Sequence, residues 1–202
     1  MSKVCIIDYN SGNIQSVKAA LEILKVNYVI SNLDSEINES SHLILPGVGS
    51  YKAAMNKLNK NLNLQNLSNQ VLSKNKPILG ICVGMQIFSS FGYEFFKTKG
   101  LNWISGTVEK LDTKFTLPHI GWNSVKISKK NKLFPKKDNE FYFLNSFCFK
   151  CKNENEILGK TIYDKEFSSI INKDNIYGVQ FHPEKSQTDG LILLKNFITE
   201  IK

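Results

Sequence analysis

Three short stretches of this chain carry residue types suited to acyl transfer. They are Gly80-Ile81-Cys82-Val83-Gly84-Met85-Gln86, His182-Pro183-Glu184 and Pro46-Gly47-Val48-Gly49. A free thiol is only a few per cent thiolate at neutral pH, so a cysteine nucleophile needs a base beside it and a group that orients the base. Cys82, His182 and Glu184 supply these three parts. Cys82 follows an apolar run from Pro77 to Ile81 and precedes a helix-like run from Val83 to Phe91, a strand-to-helix elbow with sulfur as the nucleophile. Glycines two positions to either side relieve Cβ crowding at such a turn and predict a displayed, unburied thiol. His182 closes an apolar strand, and residues two apart in extended chain point the same way, so Glu184 is expected on its side of the backbone.

A carbonyl under attack becomes an oxyanion and needs preset N–H donors. The Val83 amide, just after the nucleophile, is one. The other is expected from Val48 or Gly49, because a strand end followed by glycines can turn an amide inward.

The elements that must position these groups read as alternating strands and helices. Val4 to Asp8 is a buried strand, and Ile14, Val17, Leu21 and Leu24 recur at helical spacing after it. Further strands are expected at 28–30, 42–45 and 77–81, with helices over 53–58 and 64–72. From Ile104 to Ile171 the chain turns β-rich, with stretches at 106–111, 120–127 and 140–147. A strand at 177–181 and a helix from about Asp189 close it. The fold class that follows is α/β, one domain spanning 1–202, with a central, mostly parallel sheet flanked by helices and a β-rich C-terminal half.

Composition narrows the function classes. The 202 residues carry a net charge of +8, yet all 26 basic residues are lysines. Arginine, the residue of bidentate base and phosphate contacts, is missing, so nucleic acid is not an expected partner. The run from Lys129 to Lys137 lacks helical or strand periodicity and reads as a solvated loop. No apolar segment reaches the ~20 residues that span a bilayer, and no signal segment precedes the first strand, so a cytoplasmic protein without membrane contact is expected. Four cysteines are too few for a disulfide scaffold. Cys148-x-x-Cys151 has no second pair and no nearby histidine, so both read as strand residues, and no metal or cofactor is expected. Cys5 reads as core. His42 and His119 each open an apolar stretch and read as packed or hydrogen-bonded residues.

In order and spacing, G-x-C-x-G-x-Q followed by H-P-E resembles the class I glutamine amidotransferases over nearly the whole chain. Within that family four stretches look like the glutaminase subunits of imidazole glycerol phosphate synthases: Asp8-Tyr9-Asn10-Ser11-Gly12-Asn13, Pro46 to Gly49, Pro118-His119-Ile120-Gly121-Trp122-Asn123, and Gly178 to Ser186. The resemblance implies hydrolysis of glutamine to glutamate and ammonia through a Cys82 thioester. It also implies a heterodimer that channels ammonia to a TIM-barrel cyclase subunit of histidine biosynthesis. By motif position, Gln86 and Glu94 would contact the α-carboxylate and α-amino ends of glutamine, and Ser146 and Phe147 would line the same pocket through backbone groups. Asn13, Trp122 and Lys185 would face the cyclase.

Where the family reads His-Ser-Tyr, this chain has Asn145-Ser146-Phe147, which removes a titratable ring and a hydroxyl. The departure raises an alternative, a paralogue that feeds ammonia to another synthase such as one amidinating a surface sugar. The rival classes are a cysteine peptidase on the same elbow and a catalytically silent regulatory subunit.

Overall fold

The computed structural model describes residues 3–129, 131–134 and 138–202. The chain opens with β1 (Lys3–Ile7), α1 (Ile14–Ile23), β2 (Asn27–Ser31), α2 (Asp34–Glu39) and β3 (His42–Gly47). Next come α3 (Tyr51–Asn61), α4 (Leu64–Ser68) running into a π-helical turn at Asn69–Ser73, β4 (Ile78–Cys82) and α5 (Val83–Gln86). The β-rich half holds β5 (Phe91–Gly92), β6 (Thr98–Lys99), β7 (Gly106–Lys110), β8 (His119–Ile127), β9 (Asp138–Asn145), β10 (Phe147–Cys151), β11 (Ile157–Tyr163) and β12 (Lys165–Lys173). It ends with β13 (Ile176–Val179) and α6 (Gln187–Glu200).

Five strands form a parallel core in the order β2-β1-β3-β4-β13. β4 lies between β3 and β13 and reads as a continuous apolar run because both of its faces are buried. β12 pairs antiparallel to β13 and turns the sheet into an antiparallel extension through β10 and β7, with β11, β8 and β9 branching from β12. A parallel core flanked by helices, continued by a β-rich half in one sheet, is the α/β architecture expected.

Helix α1 turns Val17, Ala20 and Leu21 to the core, and α6 turns Leu193, Leu194, Phe197 and Ile198. In the β-rich half, Phe141 stacks on Phe181 at 3.8 Å and Phe143 meets Phe181 edge-on at 5.6 Å, tying the β8–β9 hairpin to the end of β13. His42 is hydrogen-bonded to Ser41 and the Ile201 carbonyl. His119 is sandwiched between Phe143 and Tyr163. Both are packed histidines, as their positions suggested.

Two expectations are corrected here. The helix over 83–91 is a single turn, Val83–Gln86. The Phe88 and Ser89 amides donate only three residues back, to the Met85 and Gln86 carbonyls, and the Ser90 amide donates across to the Gly106 carbonyl, so the i→i−4 ladder stops after Ile87. The β stretch at 140–147 breaks at Ser146, where β9 ends and β10 begins. Of the lysine-rich run, residues 130 and 135–137 lie outside the described residues.

Candidate active site

β3, β4 and β13 are adjacent parallel strands, so their carboxyl ends meet at one edge of the sheet, the place where open α/β sheets hold ligands. Pro46 to Gly49 ends β3, Cys82 ends β4, and His182 follows β13 by three residues. Gly47 is in register with Cys82. The three stretches that suggested chemistry are thus neighbours because of strand order.

The elbow is strained at Cys82 itself. Cys82 has φ +54° and ψ −113°, a conformation that costs of order 1–3 kcal/mol and persists only where packing enforces it. The glycines serve close approach. A Cβ on Gly84 would fall on the Leu45 carbonyl oxygen, and one on Gly80 would lie 2.7 Å from the Met85 amide nitrogen. β3 and α5 therefore pack backbone against backbone around the cysteine.

The expectation of a displayed thiol is corrected: Cys82 is 5% exposed. It sits on the wall of a cavity of about 210 Å³ shared with Val48, Gly49, Val83, His182 and Leu144. Its sulfur donates to the Leu144 carbonyl at 3.9 Å and accepts from Gln180 Nε2 at 3.7 Å. Burial excludes bulk water from the reacting atom and strengthens the fields of nearby charges.

His182 Nδ1 lies 2.8 Å from Glu184 Oε1, and both side chains are almost wholly buried. The pairing expected from the sequence is present, but by another geometry. Pro183–Lys185 form a 3₁₀ turn, so the carboxylate curls back toward the ring, not along a strand. The His182 amide donates to the Tyr142 carbonyl at 2.9 Å. The Ser186 hydroxyl donates to the His182 carbonyl at 2.6 Å and accepts from the Tyr142 amide at 3.0 Å. Asn13 Nδ2 donates to Glu184 Oε1 at 3.3 Å and is itself oriented by the Ser16 hydroxyl.

Burial alone would push His182 down. Hydrogen bonds that the imidazole gives to Cys82 and Glu184, with their charges, outweigh it and carry the imidazole up to about 10.

The substrate-facing residues suggested by motif position line the same cavity: Gln86, Glu94, Ser146 and Phe147. Glu94 accepts the Tyr51 amide at 2.6 Å, at the start of α3, where the helix dipole favours a carboxylate. The Ser146 carbonyl is taken by the Leu111 amide, and the Phe147 carbonyl by Gln86 and Asn145. On the oxyanion side, Gly49 has φ +88° and Val48 is 42% exposed. The Ser11 hydroxyl donates to the Val48 carbonyl at 3.1 Å.

Of the residues assigned to the partner, Trp122 is half exposed and stands edge-on to Tyr142 at 6.4 Å, and Lys185 Nζ lies 5.9 Å from the Tyr142 ring. Cys148 and Cys151 both lie on β10 as unpaired thiols. Cys148 is buried and Cys151 partly so. Burial pushes them up to about 11 and about 12, so both thiols stay protonated at neutral pH.

Sequence reasoning missed Ser11 and Gln180. Gln180 had a signal: a fully buried amide in the apolar run from Ile176 to Phe181 must find a partner. Ser11 had none, because its partner lies 37 residues away on another strand end.

Comparison with known proteins gives the family and the fold. The family described as "Glutamine amidotransferase class-I" matches residues 5–201. The chain is 42% identical over 204 residues to the imidazole glycerol phosphate synthase subunit HisH of Pelagibacter ubique (strain HTCC1062), covering 96% of this chain and 98% of that one. It is 44% identical over 200 residues to subunit HisH 1 of Campylobacter jejuni (strain RM1221), with the same coverage. A solved glutamine amidotransferase superposes with TM-score 0.76 at 15% identity over 96% of each chain. PurLQS from Thermotoga maritima superposes with TM-score 0.75 at 17% identity, over 100% of this chain and 99% of the matching chain. At these identities the two structures attest the fold. By its matched length and by its relatives, this chain belongs to the class I glutamine amidotransferases and is related over almost its whole length to the HisH subunits.

Proposed function

We propose that the chain is the glutaminase subunit of an imidazole glycerol phosphate synthase. The observation that carries the reading is the single cavity that holds Cys82, His182, Gln86 and Glu94, with relatives of that name matching end to end. Cys82 thiolate attacks the side-chain amide carbon of glutamine, and the carbonyl oxygen takes the negative charge. The Val83 amide and that of Val48 or Gly49 receive this oxyanion. His182, held by Glu184, gives its proton to the leaving nitrogen, and ammonia departs from a γ-glutamyl thioester. His182 then takes a proton from water, which attacks the thioester carbon and releases glutamate with the thiol restored. Glu94 suits the α-ammonium, Gln86 the α-carboxylate, and the backbone of Ser146 and Phe147 closes the cavity wall.

The partner is a TIM-barrel cyclase subunit in a cytoplasmic heterodimer. Support comes from one face beside the cavity. Ile120, Trp122 and Leu144 are 59%, 47% and 41% exposed, and the cross-strand pairs Ile120–Leu144 and Trp122–Tyr142 place them together. Lys185 Nζ, 5.9 Å from the Tyr142 ring, borders it. No helix among the described residues is long and apolar enough to cross a membrane.

The test is glutamate release by the chain alone and with the cyclase plus its own ligand. Slow turnover alone and acceleration by the cyclase is the expected result; a glutaminase indifferent to the cyclase would refute the assignment. Asn145 and Phe147 favour a second reading, a paralogue serving a sugar-amidinating synthase, and activation by that enzyme only would establish it.

A further inference from the structure

Gln180 carries no role in the chemistry above, yet it is fully buried and its Nε2 lies 3.7 Å from the Cys82 sulfur. Its other end, Oε1, accepts from Gln86 Nε2 at 3.0 Å, and the same Gln86 nitrogen donates to the Phe147 carbonyl at 3.2 Å. A backbone carbonyl can only accept. Phe147 therefore forces the Gln86 amide to present nitrogen, and Gln86 forces Gln180 to present its oxygen to Gln86 and its nitrogen to the sulfur. Turning either amide over would set two donors or two acceptors against each other in a buried site.

We propose that Gln180 is a catalytic residue: its side-chain N–H, aimed by the Phe147–Gln86 relay, stabilises the Cys82 thiolate. The inference rests on the reading of Cys82 as the nucleophile. The sulfur has two neutral neighbours of opposite effect. The Leu144 carbonyl, 3.9 Å away, accepts from the thiol and opposes ionisation, and the Gln180 N–H favours it. His182 supplies the opposite charge, and Gln180 supplies a donor that stays in place when His182 gives its proton to the leaving nitrogen. A donor that does not travel with the proton lets the sulfur leave as thiolate when water resolves the thioester.

The relay also ties the nucleophile to the substrate pocket, because Gln86 lines the cavity and orients Gln180 at once.

The experiment is alkylation of the full-length chain by iodoacetamide as a function of pH, with the modified cysteine identified by mass spectrometry. Wild type, Gln180→Met and Gln180→Glu are compared after thermal melts establish that each is folded. Gln180→Glu keeps the shape and the acceptor for Gln86 but places an oxygen on the sulfur. Loss of one hydrogen bond to an ionised group predicts a fall of about tenfold in Cys82 alkylation at pH 7 for Gln180→Met, recovering as pH rises, and a larger fall for Gln180→Glu. If Gln180→Met does not fold, Gln180→Glu decides. Gln86→Leu, which leaves the Gln180 amide unaimed, should shift the profile in the same direction. A folded Gln180→Glu chain whose pH profile overlays the wild type would overturn the proposal. Wild-type Cys82 that reacts no faster than Cys151 would instead refute the nucleophile reading beneath it.

Discussion

The two sides of the cavity are built in opposite ways. The nucleophile side is over-determined: Cys82 is held at φ +54° by backbone packed on backbone, with no room for a Cβ at Gly84 or Gly47. The oxyanion side is open: a Cβ on Gly49 would meet nothing within 4 Å, and one side-chain hydrogen bond, from Ser11, holds the Val48 carbonyl. On the proposed function, a reaction tied to an acceptor subunit gains from this division. The costly strained part is permanent, and the part that completes the site is left to a weak hold that a docked partner can bias.

The greatest loss is expected on the nucleophile side. Cys82→Ala should abolish glutamine-dependent synthesis by the complex, a loss of about 10⁵-fold, and leave synthesis from added ammonium salts nearly intact. Loss of both in a folded complex would make Cys82 structural. Next, Glu184→Gln should cost roughly 100-fold less in glutamine turnover than His182→Ala, because the carboxylate orients the ring without moving the proton. Steady-state rates decide, and a Glu184→Gln enzyme equal to wild type would remove Glu184 from the mechanism.

Stability tests the contrast directly. Gly84→Ala drives a methyl into the Leu45 carbonyl and should cost about 3 kcal/mol, whereas Gly49→Ala has space and should cost about 1–2 kcal/mol for its left-handed backbone. Denaturation midpoints measure both, and equal losses would erase the distinction between the two sides. Ser11→Ala should lower glutaminase activity of the isolated chain about tenfold while costing about 1 kcal/mol or less of stability. Unchanged turnover would show that the Val48 carbonyl is held by something else.

The weakest effect concerns pH. Because His182 is carried from 6.5 up to about 10, the stability it contributes is complete below pH 6.5 and fades as pH climbs through about 10. The stability difference between wild type and His182→Asn should therefore shrink from pH 6 to pH 10. A constant difference would mean the imidazole is not held protonated by its partners.

The features legible in the residues alone are local. The apolar runs placed β1, β3 and β4, the helical spacing placed α1 and α6, and the residue types at Cys82, His182 and Glu184 suggested the chemistry proposed for them. Each of these depends on neighbours a few positions apart. That β3, β4 and β13 stand side by side is a property of the folded molecule, since strand order reflects pairings between residues up to about a hundred positions apart. The same holds for the one-turn helix after Cys82, cut short where the Ser90 amide turns to the Gly106 carbonyl, and for the burial of a thiol that its own glycines suggested was open. Ser11 and Gln180 belong with these. A hydroxyl or amide gains its role from what the fold sets 3–4 Å away, and no local pattern encodes that neighbour.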